Sequence, residues 1–216
     1  MTTTKYTVAT AMKEVGGLGK PSKMPGFSYS VPAQECKTGS KLVKIKGSVC
    51  YNCYALKGNY VRFPMVGKAL YNRLDLVENN PKWVGAMAFL INWYASKTTH
   101  FRWHDSGDIQ SVKHLTKIVE VCKLTPNVKH WLPTREAKMV KEYLKDYGNF
   151  PSNLIVRVSA TMVDGEPHKF HEHTSTVVTS KSDKGYTCPA PTQGNECKDC
   201  RACWDKRVSN VAYLEH

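Results

Sequence analysis

The amino-acid sequence predicts an α/β fold: a partial (β/α) barrel or a small parallel sheet flanked by helices, with a C-terminal cysteine-rich metal-binding segment. Three observations carry that expectation. Strand-like and helix-like patterns alternate from residue 27 to residue 180. Polar residues gather where the expected strands run out. Seven of the eight cysteines fall into two groups, one near each end of the chain. Alternation of this kind implies parallel strands covered by crossover helices. About five strands are too few to close an eight-fold barrel, so an open or partial barrel, or a small doubly wound sheet, is expected.

The elements follow in order. "FSYSVPA" (27–33) alternates apolar and polar residues and stops at a proline, which reads as a strand. A cysteine-bearing loop comes next. From Arg62 to Val77, apolar residues recur at Val66, Leu70, Leu74 and Val77, the period of a helix. A second helix starts at "ENNPKWVGAMAFLINWYA", where Asn80 can cap and Pro81 sits where a missing N–H costs nothing. "HFRWHDSGD" (100–108) is a strand running into a polar turn. "IQSVKHLTKIVEVCK" returns to helix, with Val112, Leu115, Ile118, Val119 and Cys122 on one side. Cys122 on that stripe is expected to be a packed core thiol. "VKHWLPTRE" (128–136) is a strand and turn, and "EAKMVKEYLKDYG" is a helix that Gly148 stops. "NLIVRVSAT" (153–161) and "STVVTS" (175–180) are strands. From Tyr186 onward the pattern is cysteine-rich and aperiodic. One α/β domain is expected over residues 1–185, with 186–216 packed on it.

Bulk properties narrow the classes. The chain has 216 residues, enough for one substantial core. Its longest apolar stretch, "VGAMAFLINWYA" (84–95), is too short to span a bilayer, so no membrane partner is expected. The beginning "MTTTKYTVATAMKEVGG" lacks the basic start and apolar core of a signal peptide, so a cytoplasmic location is expected. In that reducing compartment clustered cysteines read as metal ligands rather than disulfides. The formal net charge of +13 permits binding to nucleic acid. Most lysines scatter over helix faces, with one short run, "KLVKIKGS", and no arginine-rich arm. That distribution favours solvated faces over a nucleic-acid grip.

Active sites of parallel α/β proteins lie at the carboxyl ends of the strands. Here those ends carry Cys36, Cys50 and Cys53, then "HDSGD", "PTRE", "RVSAT" and "TSKSD". Helix caps supply some Ser, Thr and Asp at such places, but do not require His104, Arg135 and a cysteine group as well. Cys36, Cys50 and Cys53 can hold three irons of a 4Fe-4S cluster and leave one iron open, or bind zinc with a fourth partner. "TCPAPTQGNECKDCRACW" places Cys188 ahead of Cys197, Cys200 and Cys203. Two overlapping CxxC steps with an upstream thiol match cubane iron–sulfur ligation, whereas structural zinc generally uses two separated pairs. Lys198, Arg201, Lys206 and Arg207 surround this group and are read equally as charge compensation or as solvated loop charges. "EPHKFHEH" (166–173) offers His168, His171 and His173 as further metal ligands, or as plain polar loop residues.

A three-cysteine loop after the first strand, followed by the turn Ser106-Gly107-Asp108 after the second, resembles the radical S-adenosylmethionine (SAM) enzymes. Cys36/Cys50/Cys53 is similar to the looser variants of their CxxxCxxC motif. The aromatic that usually precedes the last cysteine is replaced by Asn52, between tyrosines. The resemblance implies an open-iron 4Fe-4S cluster, SAM held by Ser106, Gly107, Asp108, Arg135 and Ser159, and substrate met by His104, Asp105 and Arg157. One-electron reduction, from an electron donor, would then cleave SAM and yield a hydrogen-abstracting radical. Two other classes are carried beside it: a zinc- or cluster-stabilised nucleic-acid-binding module, and a non-enzymatic iron–sulfur carrier or sensor. The phrase order "CYNCYA … RWHDSGD … LPTRE … VRVSA … CxxCRACW" also resembles a phage-encoded family known by its gene-product number, eighty-eight, which implies a viral origin and a host cytosol.

Overall fold

In the computed structural model, which describes residues 5–181 and 183–215, one sheet runs through the chain. Its strands are β1 (Phe27–Tyr29), β2 (His100–Trp103), β3 (Lys129–Thr134), β4 (Leu154–Ser159), β5 (Thr174–Val178), β6 (Tyr186–Thr187) and β7 (Asn210–Leu214). Every pairing is parallel, in the order β1-β2-β3-β4-β5-β7-β6. The first five strands add in sequence order, and β7 then inserts between β5 and β6, so the structure is the parallel sheet with covering helices that the sequence predicts.

Helix α1 (Val8–Val15) precedes β1, and α2 (Gly39–Leu42), α3 (Asn59–Arg62), α4 (Pro64–Asn79), α5 (Trp83–Tyr94), α6 (Val112–Leu124) and α7 (Ala137–Tyr147) fill the first three connections. The long ones lie side by side: α1 touches α4 and α5, α5 touches α6, and α6 touches α7. They bury Tyr29, Trp83, Trp103, Leu132 and Val156 in the main core. Cys122 is fully buried there, as its place on the apolar stripe of α6 requires. The opposite face of the sheet carries a smaller cluster of Trp131, Ala202, Cys203, Trp204 and Val211. The C-terminal segment covers that face.

Local chemistry sets the boundaries. Ser111 caps α6 by accepting the His114 N–H at 3.0 Å. Gly148 ends α7 at φ 77°, a conformation that favours glycine. Asn80 accepts the Lys82 N–H at 3.0 Å and donates to the Glu14 carbonyl at 2.9 Å, tying the start of α5 to α1. Helix α1 has a Thr7/Thr10 capping box that the sequence reading passed over. The segment from Tyr186 onward corrects the expectation more: it is no aperiodic appendage but supplies β6 and β7 to the same sheet.

Candidate functional site

The loop between β1 and α4 lies across the carboxyl ends of the strands. Three anchors hold it. The Glu136 carboxylate, beyond β3, accepts the Thr38 N–H at 2.7 Å and the Thr38 hydroxyl at 2.8 Å. Tyr60 donates to the Asp105 carboxylate, beyond β2, at 3.2 Å, and the Tyr54 hydroxyl donates to the Asp105 carbonyl. Val49 N–H donates to the Thr161 carbonyl, beyond β4, at 3.0 Å, and Val163 N–H donates to Gly47 at 2.9 Å.

That loop gathers the first cysteine group. A Cβ placed on Gly39 would stand 3.7 Å from the Sγ of Cys36 and 3.7 Å from the Sγ of Cys50. The same Cβ would stand 2.9 Å from the Cβ of Cys36, so Gly39 packs closely on that residue and touches both sulfurs' surroundings. Burial pushes the Cys36 thiol up, with Asp108, Cys53 and Cys50 adding to the rise and Arg135 opposing it. Cys50 is raised by burial too, against the pull of Arg135 and with a further push from Cys53. The three thiols and the Arg135 guanidinium are thus neighbours, and the Arg135 Nε is buried without a partner.

The second group assembles at the sheet's other face. Cys197 is raised by burial and then by Cys188 and Cys200, against Arg102 and Arg201. Cys203 is pushed up to about 12 by burial, opposed by the Tyr213 hydroxyl 3.1 Å away and by Arg157. Cys188 is a shared neighbour of the other three. All eight cysteines are free thiols. Among the described residues, no group of three or more His, Cys, Asp or Glu side chains that could hold a metal ion is formed. The C-terminal metal-binding segment expected from sequence is therefore a gathering of thiols, without a ready single-ion site. His168, His171 and His173 form none either. His171 Nε2 lies 2.8 Å from the Val156 carbonyl, and His173 Nε2 lies 3.0 Å from that of Lys206.

Several expected contact residues turn inward. Arg157 is fully buried. Its guanidinium donates to the carbonyls of Cys203, Thr174, Ser209, Ala202 and Asp205, at 2.9–3.3 Å. Those bonds leave no donor for a substrate; the side chain clamps the C-terminal segment to β4. His104, at φ 60°, sits 5.2 Å from the ring of His114, and its Nδ1 lies 3.1 Å from the Tyr29 carbonyl. It packs in the seam between β2 and α6, away from the thiols. Asp108 is buried and accepts from Thr134 Oγ1 at 2.6 Å and from the N–H groups of Ile109 and Arg135 at 2.8 Å each. Burial raises its carboxyl to about 6, against the pull of those bonds. It stitches the end of β2 to the end of β3. Ser106 donates to the Val31 carbonyl at 3.3 Å, and Ser159 pairs with Ser175 at 2.8 Å. Gly107, at φ 80°, has the Val31 carbonyl oxygen 2.4 Å from where a Cβ would be, so packing alone demands glycine.

Of the expected contacts, Asp105 and Arg135 remain partly exposed beside the thiol loop. Asp105 also accepts from Ser28 at 3.0 Å and from Ser30. Sequence reasoning missed Glu136, Tyr54, Tyr60 and Arg102. Arg102 lies with its guanidinium carbon 4.6 Å over the Trp131 ring and its Nε buried without a partner. It is close enough to Asp105 and to Cys203 to feel both, so it stands between the two cysteine groups. The tyrosines on either side of Asn52 were its one available signal for the loop anchors.

No described helix is long and apolar enough to cross a membrane. No curated protein and no solved structure matches the chain. The family model described as Gene product 88 matches residues 2–206, which takes in the strand ends, the loop across them and both cysteine groups, and the chain belongs to that phage family.

Proposed function

We propose that the chain is an iron–sulfur protein. Cys36, Cys50 and Cys53 hold a 4Fe-4S cluster through three thiolates at the mouth of a partial barrel, and Cys188, Cys197, Cys200 and Cys203 hold a second. The observation that carries this reading is the meeting of Cys36, Cys50 and Cys53 on one loop beside Arg135, whose Nε has no partner. A thiolate-bound cluster is anionic, and a guanidinium without a carboxylate partner is its natural complement. Arg102 and Arg157 stand in that relation to the second group, since both act on Cys203.

The cysteine pattern, two overlapping CxxC steps with an upstream thiol in the second group, supports clusters over zinc. Zinc draws its thiolates to about 3.8 Å of one another, from bonds of about 2.3 Å in a tetrahedron. A cluster places its own iron and sulfide between the thiolates and needs them wider apart. The residues assigned to SAM suit that cofactor less well. Ser106, Gly107, Asp108 and Ser159 are spent on joining strand ends, so Arg135 is left alone among them, and no step through SAM follows from these residues. A cluster held by three thiolates would have one iron open to a small-molecule ligand, with Asp105 and Arg135 the partly exposed polar groups beside the thiol loop, and its reduction would call for an electron donor.

Anaerobic reconstitution tests the reading. Two clusters give roughly eight irons and eight sulfides per chain, falling to about four of each when Cys36, Cys50 and Cys53 are changed to serine. Stoichiometric zinc with no acid-labile sulfide would refute it.

A further inference from the structure

We infer that the outer surface of the loop over the strand ends is a docking site for single-stranded nucleic acid. The inference goes beyond the cluster proposal and stands or falls without it. Between Glu35 and Asp75 the chain holds no carboxylate, where its average density would place about three. The same stretch carries Lys37, Lys41, Lys44 and Lys46, then Lys57 and Arg62, and all six are exposed. None of them forms an ion pair among the described residues.

Charge alone would suit any polyanion. The aromatic residues between the cations narrow the choice. Tyr51, Tyr54 and Phe63 are exposed by 46%, 58% and 50%. A surface that interleaves cations with open aromatic rings binds unpaired bases by stacking while the cations follow the phosphates. Duplex DNA keeps its bases stacked and cannot use such rings. An acidic protein would use the lysines and leave the bases' stacking partners without that role. The Tyr54 ring is presented edge-on to Tyr60, with centroids 6.0 Å apart, and its hydroxyl is fixed to the Asp105 backbone, so the ring is held in place before any ligand arrives. Arg62 lies 6.0 Å from the Phe63 ring centroid, a cation beside a stacking face.

Fluorescence anisotropy on the full chain tests this, with a labelled oligothymidine as probe and a duplex of equal length and polyglutamate as competitors. Oligothymidine should bind, its affinity should fall steeply with salt, and neither competitor should displace it at equal concentration. Changing Lys41, Lys44 and Lys46 together to glutamine should reduce the salt slope by roughly two to three. Tyr51→Ala with Phe63→Ala should weaken binding tenfold or more and leave the slope unchanged. These side chains are exposed, so both variants should melt as the parent does. Equal competition by duplex or polyglutamate, or aromatic variants that bind as the parent does, would overturn the inference. Repeating the titration with the Cys36, Cys50, Cys53 serine variant separates it from the cluster reading, because binding should persist there.

Discussion

Arg157 illustrates how a side chain's surroundings decide its role. From sequence it reads as an arginine near the end of a strand, where active sites gather. In the fold its guanidinium meets five backbone carbonyls, four of them from residues 202–209. Sequence could not show this, because its partners lie 17 to 52 residues away. Replacing Arg157 with methionine keeps much of the bulk but leaves those carbonyls buried without donors. The loss should be on the order of 3 kcal/mol or more, since each orphaned group carries a desolvation penalty. Arg157→Lys should recover little of it, because an ammonium lacks the planar five-donor fork. Urea unfolding measures the loss, and limited proteolysis should cut first within residues 202–209. A variant as stable as the parent would show that the clamp is dispensable.

At the scale of elements, the loop carrying the first cysteine group has little regular structure of its own. Helices α2 and α3 are four residues each. Its shape comes from the anchors at Thr38, Val49, Tyr54 and Tyr60, which together reach residues just beyond three strand ends, β2, β3 and β4. The cysteine spacing could therefore be read from sequence, while the loop's path could not. Periodicity reports helices and strands, and a loop held by side chains from distant turns has none. Glu136 is the anchor with two bonds to one residue, and it is only 4% exposed. Glu136→Gln keeps the shape but removes the charge, so the bond to the Thr38 N–H weakens and the Thr38 hydroxyl must turn to accept from the amide. The expected outcome is a loop cleaved faster by protease and, after reconstitution, iron lost sooner from the first group than from the second. Iron release timed with a chelator, compared with release from the Cys36, Cys50, Cys53 serine variant, distinguishes the two groups. Equal release rates in parent and Glu136→Gln would show that this anchor does not hold the site.

For the whole molecule, the alternation of strand and helix was legible because each crossover helix shows its own apolar stripe. Strands β6 and β7 were not, since β6 has two residues and both lie in a stretch whose cysteines obscure any alternation. That stretch nonetheless completes the sheet, so unfolding is expected to be a single transition. Its pH dependence follows from imidazoles buried in the main core. Burial lowers His104 to about 4, against the bond to Tyr29 and the pull of Asp105, with Arg102 lowering it further. Burial lowers His130 to about 3, and lowers His114 well below its ordinary value with His104 and Lys117 adding to the effect. Unfolded, each would titrate near 6.5. Below that pH the unfolded chain takes up protons that the folded chain refuses, so the stability these groups contribute is fully present at neutral pH. It is lost as pH falls from 6.5 towards 4, at about 1.4 kcal/mol per pH unit for each proton refused. Asp108 acts in the opposite sense, since a carboxyl raised to about 6 gains protons on folding, but one carboxyl is set against three imidazoles. The midpoint of urea unfolding should therefore drop steadily between pH 6.5 and 4. His130→Leu should flatten that drop by one proton's worth, because the Thr125 hydroxyl that faces His130 also donates to the Val121 carbonyl at 2.8 Å and is not left without a partner. A midpoint that stays level across this range would mean that these imidazoles already carry protons in the folded protein, and the packing of His104 against His114 would have to be redrawn with a counter-ion between them.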